Sequence, residues 1–448
     1  MRRLAPDPCG GYGMSVDFGD PLSSLISRLT GLAATLPVFA LLVDTARRKA
    51  NSDLVEFLNR VELGGNETKQ DAESHRVPTG MYPQWHRLSK KAERYRSAWS
   101  VIPRTFVVTL VSEYDGYLAA LLRNAFSAKP QLLNMSDRRI TLRELFECNS
   151  IEDARDRVMQ EEIDTILRLS HVQQIEWFED KLKIDVKKSV TCWPTFVEMC
   201  ERRNLFVHTK GVISSQYLSV CAKHGVKLPD TATLGQELHV DSRYFMDAYR
   251  CLTETAILLT HVLWRKLIPD DLEKSDDAIN NICYEFIHDR EYEIPVRVLE
   301  CALKEFKTFH STESRMLLVV NLAQAYKWKG DSRKLSEIIS QTDWSGLSHK
   351  FRLAKAVLED DHRSAAEAMI AIGDHGEVQE IHYRDWPLFR SLIETPEFLR
   401  AYEEVFGSAF EVSEPKNHVK RKQSKARKAT QPKATSQRNV PAMRKRAR

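Results

Sequence analysis

Glycine and proline are scarce, at 17 residues each in a chain of 448, and no long β-branched run occurs. That scarcity disfavours a turn-dense β architecture and leaves an all-α protein as the expectation. The eight cysteines, at 9, 148, 192, 200, 221, 251, 283 and 301, form no CxxC pair. Reduced thiols in a cytoplasmic protein are therefore expected, rather than a disulfide framework or a zinc ribbon. A stretch of ~20 apolar residues, as a membrane span requires, is also missing. The best run, Leu29 to Val43, is short, carries Thr30 and Thr35, and is interrupted by Pro37. Arg2 and Arg3 lead into Pro, Asp and Gly rather than an apolar segment, so no signal peptide and no membrane partner are expected. GxSxG, GxxxxGK[ST] and HExxH do not occur. Gly10-Gly11-Tyr12-Gly13 follows no strand and is not read as a phosphate loop. His171, His224 and His239 lack metal-ligand spacing and are read as surface or capping residues, with neither metal nor cofactor expected.

Acidic residues are missing from one place in particular. Residues 416–448 hold thirteen Lys and Arg and no Asp or Glu, so a net charge of +4 divides into +13 there and −9 on the rest. From Pro415 onward only Val419, Val440 and Met443 are aliphatic or Met, and there are no aromatics. Such a segment cannot bury enough surface to offset chain entropy, which predicts a disordered basic tail at 415–448. Lys420, Arg421, Lys422, Lys425, Arg427, Lys428, Arg444, Lys445 and Arg446 would attract RNA without sequence preference and in a salt-sensitive way.

The rest of the chain divides by pattern. Residues 1–14 read as a flexible N-terminus, and 15–98 as a helical extension with a break or kink at Pro37 and a polar connector over 62–82. In 99–268, Val107, Leu110, Val111, Tyr114, Tyr117, Leu118, Leu121 and Leu122 recur at three- and four-residue steps and mark one buried helix face. Further helices are expected over 140–146, 151–167, 172–182, 194–208 and 242–267, with a domain boundary at Pro269-Asp270-Asp271. Trp177, Trp193, Trp264 and Trp328 fall on helical stretches and are read as core. Over 275–410, Leu322-Ala323-Gln324-Ala325-Tyr326 before Gly330-Asp331 is echoed by Leu353-Ala354-Lys355-Ala356-Val357 before Asp360-Asp361. This resembles the helical hairpins of tetratricopeptide-like repeats, which would dock a protein partner or regulator.

The chemistry concentrates in Glu201-Arg202-Arg203-Asn204-Leu205-Phe206-Val207-His208-Thr209-Lys210-Gly211. On a helix of 3.6 residues per turn, Arg203 falls about 20° from Phe196, inside the apolar stripe, where a guanidinium needs a partner. Asn204 and His208 lie about 80° and 120° from Phe196, one turn apart on the flank. An imidazole that moves protons and a guanidinium that stabilises a phosphorane suit RNA cleavage by the 2′-hydroxyl. A single Arg–His pair lacks a separate acid and base, which two copies in a symmetric dimer would supply.

Arg203-Asn204 followed by His208 is similar to the Rx4–6H motif of the HEPN superfamily. The flanking sequence, the later Tyr217, and the earlier Glu113-Tyr114-Asp115-Gly116-Tyr117-Leu118 also resemble bacterial members. The resemblance covers roughly 100–268. It implies a helical bundle that dimerises, brings two motifs into one cleft and cuts RNA, as a toxin or antiphage effector. Arg203, Asn204 and His208 would then be catalytic, and Glu113 a polar contributor. The competing reading is a non-catalytic dimerising module that binds RNA or protein. A passive substrate of a neighbouring nucleotidyltransferase is a third reading, by family analogy alone. An open cleft at Arg203 and His208 favours the enzyme; a buried His208, or an Arg203 tied to an internal carboxylate, favours the module.

Overall fold

The computed structural model describes residues 16–63, 77–135 and 141–411. The expectations for 1–14, for most of the 62–82 connector and for the basic tail lie outside the described residues. The fold is all-α, and the described residues contain no strand, only an isolated bridge between Val212 and Glu237.

Two long helices run antiparallel, α1 (Gly19–Leu63) and α2 (Tyr82–Ala128). Leu22, Leu25, Leu29, Leu36, Ala50 and Phe57 of α1 are buried at heptad-like spacing, the pattern of a two-helix seam. Pro37, expected to break or kink the chain, lies inside one continuous helix. It is exposed, and the seam on either side carries the helix across it. The length objection to a membrane-crossing segment therefore fails: α1 and α2 are both long and apolar enough by composition, though the apolar window of α2 is 44% buried inside the protein.

The boundary expected at 98/99 falls in the middle of α2, because the charged segment before Trp99 and the apolar segment after it form one helix. The second half of α2 is the spine of the body. Around it pack α4 (Ile151–Leu167), α5 (His171–Leu182), α7 (Trp193–His208) and α9 (Ser242–Leu267), with the short α3 (Leu142–Glu147), α6 (Val186–Ser189) and α8 (Ser215–Lys223) between them. The limits expected for α4 and α9 are those observed, each fixed by a cap: Ser150 accepts from Asp153 N, and Asp241 from Tyr244 N. Trp264 is buried; Trp177, Trp193 and Trp328 pack half-buried against the core.

Nor does the core end at 268. One hydrophobic cluster includes Leu252, Leu259 and Trp264 together with Ile279, Cys283, Phe286, Ile294 and Leu299. Those latter residues lie on α10 (Leu272–His288) and α11 (Glu293–Glu305), which seal the end of the body. Three helical hairpins follow one another: α10–α11, α12 (Thr312–Lys329) with α13 (Ser332–Gln341), and α14 (His349–Leu358) with α15 (His362–Ile372). Each turns on a left-handed residue, Arg290 (φ 64°), Gly330 (φ 84°) and Asp360 (φ 57°). The short α16 (Glu380–Asp385) and α17 (Pro396–Phe406) close a second core around Phe389, Phe398 and Tyr402.

Candidate functional site

α7 enters with Pro194 in its first turn and buries Phe196, Met199 and Cys200. Arg203 continues that stripe, and its charge is met from α2. One terminal nitrogen lies 3.0 Å from Asp115 Oδ2; the other donates to Asn204 Oδ1 at 3.2 Å. The second Asp115 oxygen, Oδ1, lies 2.9 Å from His171 Nε2. α2, α5 and α7 thus meet at one carboxylate. Behind it Tyr114 is fully buried, edge-on to Phe196.

The structure relocates two of the sequence-based assignments. Glu113 faces α1, where it pairs with Arg28 at 2.6 Å. Asp115, two positions on, is the carboxylate that stands beside Arg203. Successive helix residues rotate by about 100°, so the two carboxylates flank Tyr114 on opposite sides. His171, expected as a surface or capping residue, is buried at 8% exposure and follows the cap, Ser170, as the first residue of α5. His239 is exposed as expected, and His224 is the residue that ends α8.

Asn204 is half-buried beside Arg203. His208 lies one turn further, in the last turn of α7, exposed and without a hydrogen bond among the described residues. Arg203, by contrast, is 23% exposed in its side chain and Asp115 31%. Among the described residues each terminal nitrogen of Arg203 uses one N–H and keeps another, while the buried Nε has no partner there. Glu201 is half-buried on the same flank as His208, and burial pushes its carboxyl up against a smaller opposing effect from His171. Among the described residues no group of three His, Cys, Asp or Glu is placed to hold a metal ion.

A second network fixes how α7 is presented. Glu198 is buried and accepts from Arg202 Nε at 2.6 Å, Tyr217 OH at 2.6 Å and Tyr244 OH at 2.8 Å. Arg202 also stacks on the Tyr244 ring at 3.9 Å. Burial opposes the Arg202 charge, but Tyr244 and Glu198 outweigh it and push its pKa up. This ties α7 to α8 and α9 one residue away from Arg203. The end of α7 is braced as well. Arg104 of α2 donates to Lys210 O at 2.8 Å and to Glu237 at 2.5 Å. Gly211, at φ +88°, gives its N–H to Leu205 O at 2.9 Å. A Cβ there would meet the Phe206 ring at 3.0 Å.

On the hairpin region, Asn280, Tyr284, Asn321, Lys350 and Trp386 line a cavity of about 290 Å³. Asn321 donates to Asn280 at 2.8 Å, and the buried Trp386 Nε1 has no partner among the described residues. Sequence reasoning missed three residues that shape the principal site: Asp115, His171 and Glu198. Only His171 carried a local signal, because Ser170 and Gln173 form a capping box that sets the start of α5. Comparison with protein-family models, with curated proteins and with solved structures finds no match, so the functional reading rests on this chain's own residues.

Proposed function

We propose that the α2–α5–α7 junction is the active site of a metal-independent endoribonuclease of the HEPN kind. The observation that carries this reading is the placement of Arg203, with N–H groups left over beside Asn204, itself one helical turn before His208, which is exposed and makes no hydrogen bond among the described residues. Arg203 and Asn204 contact the non-bridging oxygens of a phosphodiester. His208 accepts the proton of the 2′-hydroxyl. The O2′–P bond forms and the P–O5′ bond breaks, leaving a 2′,3′-cyclic phosphate and a 5′-hydroxyl. The proton for O5′ comes from a second imidazolium, supplied by another copy of the chain, or from water. Asp115 orients the guanidinium, and His171 in turn orients Asp115. In this reading the hairpin region docks a protein regulator, the basic tail gathers RNA, and the protein acts as a toxin or antiphage effector.

One observation favours a different reading. Asp115 already neutralises much of the Arg203 charge, as in a structural ion pair. A non-catalytic module that binds RNA or protein then accounts for the same surface. End-group analysis separates the two. Labelled single-stranded RNA incubated with the full chain in excess EDTA gives 2′,3′-cyclic phosphate ends if the site is catalytic. It stays intact, though bound, if the chain is a module.

A further inference from the structure

In the ribonuclease reading, on which this inference rests, the departing O5′ needs a proton. A second copy of the chain and water are two sources of it; α7 itself carries a third. Glu201, Asn204 and His208 follow one another at steps of three and four residues. At about 100° per residue they lie roughly 140°, 80° and 120° from Phe196, along one flank of the helix. Glu201 is half-buried and makes no hydrogen bond and no ion pair among the described residues. Other carboxyls around the motif are already held. Asp115 pairs with Arg203, Glu198 with Arg202, and Glu237 with Arg104. The surroundings of Glu201 suit an acid: burial pushes its carboxyl up, against a smaller effect of His171, so it keeps its proton closer to neutral pH than a solvated carboxyl does.

The spacing fits the reaction. Attack by O2′ and departure of O5′ run roughly in line, so the group that takes the first proton and the group that gives the second stand on opposite sides of the phosphorus. With the two oxygens ~3.5 Å apart and a hydrogen bond of ~2.8 Å to each, base and acid are separated by roughly 9 Å. Glu201 and His208 are seven residues apart, two helical turns or about 10.5 Å of rise. Arg203 and Asn204 come between them along the helix, at the level of the non-bridging oxygens. We propose that Glu201 is the general acid of this site. As His208 takes the 2′-hydroxyl proton and the O2′–P bond forms, the Glu201 carboxyl gives its proton to O5′ and the P–O5′ bond breaks. Glu201 is left as a carboxylate and His208 as an imidazolium, and the proton returns from one to the other through water before the next turnover. One chain then holds the base, the phosphate-binding groups and the acid, and a second copy supplies no reacting group.

Sulfur in place of O5′ separates this role from a structural one. A thiol, with a pKa of ~8.5, is far more acidic than an alcohol, so its anion departs without a proton and a P–S5′ bond needs the base but not the acid. The full chain is assayed in excess EDTA on RNA that carries oxygen or sulfur at the 5′ bridge of the bond the wild type cuts. On the oxygen substrate Glu201→Gln is slower by ~100-fold with unchanged circular dichroism, and on the sulfur substrate it comes within about threefold of the wild type. His208→Ala stays slow on both. Cleavage of the oxygen substrate by Glu201→Gln at the wild-type rate overturns the proposal and leaves the ribonuclease reading standing. So does a loss that sulfur fails to restore, because Glu201 then acts on the shape of the site and not on the leaving group. Folded wild type that leaves ordinary RNA intact overturns the ribonuclease reading itself, and the proposal with it.

Discussion

Asp115 holds Arg203 and His171 at once, through separate oxygens at 3.0 and 2.9 Å. The pair Asp115–Arg203 joins positions 88 residues apart and sets the direction of a guanidinium that the apolar stripe of α7 would otherwise expel. In Asp115→Asn the charge-assisted bond is lost while the volume is kept. RNA cleavage should fall by up to about 100-fold, the scale of effect that a displaced reacting group produces. KM should move less than kcat. Single-turnover kinetics check this, with thermal melting as the control for folding.

Glu198→Gln tests the network that presents α7. It leaves Arg202 in a buried place without its counter-charge, and weakens the acceptors for Tyr217 and Tyr244. Removing one partner of a buried ion pair costs about 3 kcal/mol. Urea unfolding of the variant should show a loss of that order.

How much of this was legible beforehand follows from periodicity. The wheel of α7 placed Arg203 in the apolar stripe, and the structure finds it there because one face of that helix must bury Phe196 and Met199. The wheel names no partner, since Asp115 arrives from a helix whose packing angle no local pattern encodes. Glu113 was singled out in its place; the two positions point about 200° apart around α2, and only the arrangement of α1 and α7 on either side of Tyr114 distinguishes them. The hairpins over 312–372 were visible through their matching Leu-Ala-x-Ala segments. The hairpin before them, α10–α11, carries no Leu-Ala-x-Ala segment that would match it to the other two. Pro37 was read as a break or kink; the seam with α2, which local propensity ignores, keeps α1 continuous across it.

Gly211→Ala tests the brace at the end of the motif helix. The position requires φ +88°, and a Cβ would press on the Phe206 ring at 3.0 Å. A loss of about 1–2 kcal/mol is expected from the left-handed conformation alone. The denaturation midpoint should shift down, and proteolysis should speed up around residues 209–212.

His261 gives the body a defined response to acid. It is fully buried against Ser275, and burial, then the Arg265 charge, lower its pKa from 6.5 to about 3. Above pH ~6.5 neither the folded nor the unfolded chain binds this proton, and the group leaves stability unchanged. Below that the unfolded chain takes the proton and the folded chain does not. Stability therefore drops as pH falls from ~6.5 towards 3, with a slope approaching ~1.4 kcal/mol per pH unit from this residue. Melting temperatures measured from pH 7.5 to 5 should fall more steeply for wild type than for His261→Gln.

The most direct measurement is the rate of RNA cleavage in excess EDTA by the wild type, His208→Ala and Arg203→Ala, each shown to be folded by circular dichroism. The ribonuclease account predicts cleavage by the wild type to 2′,3′-cyclic phosphate ends, and a loss of about 100-fold or more in both variants. Intact RNA with the folded wild type, or equal cleavage by all three proteins, would contradict it.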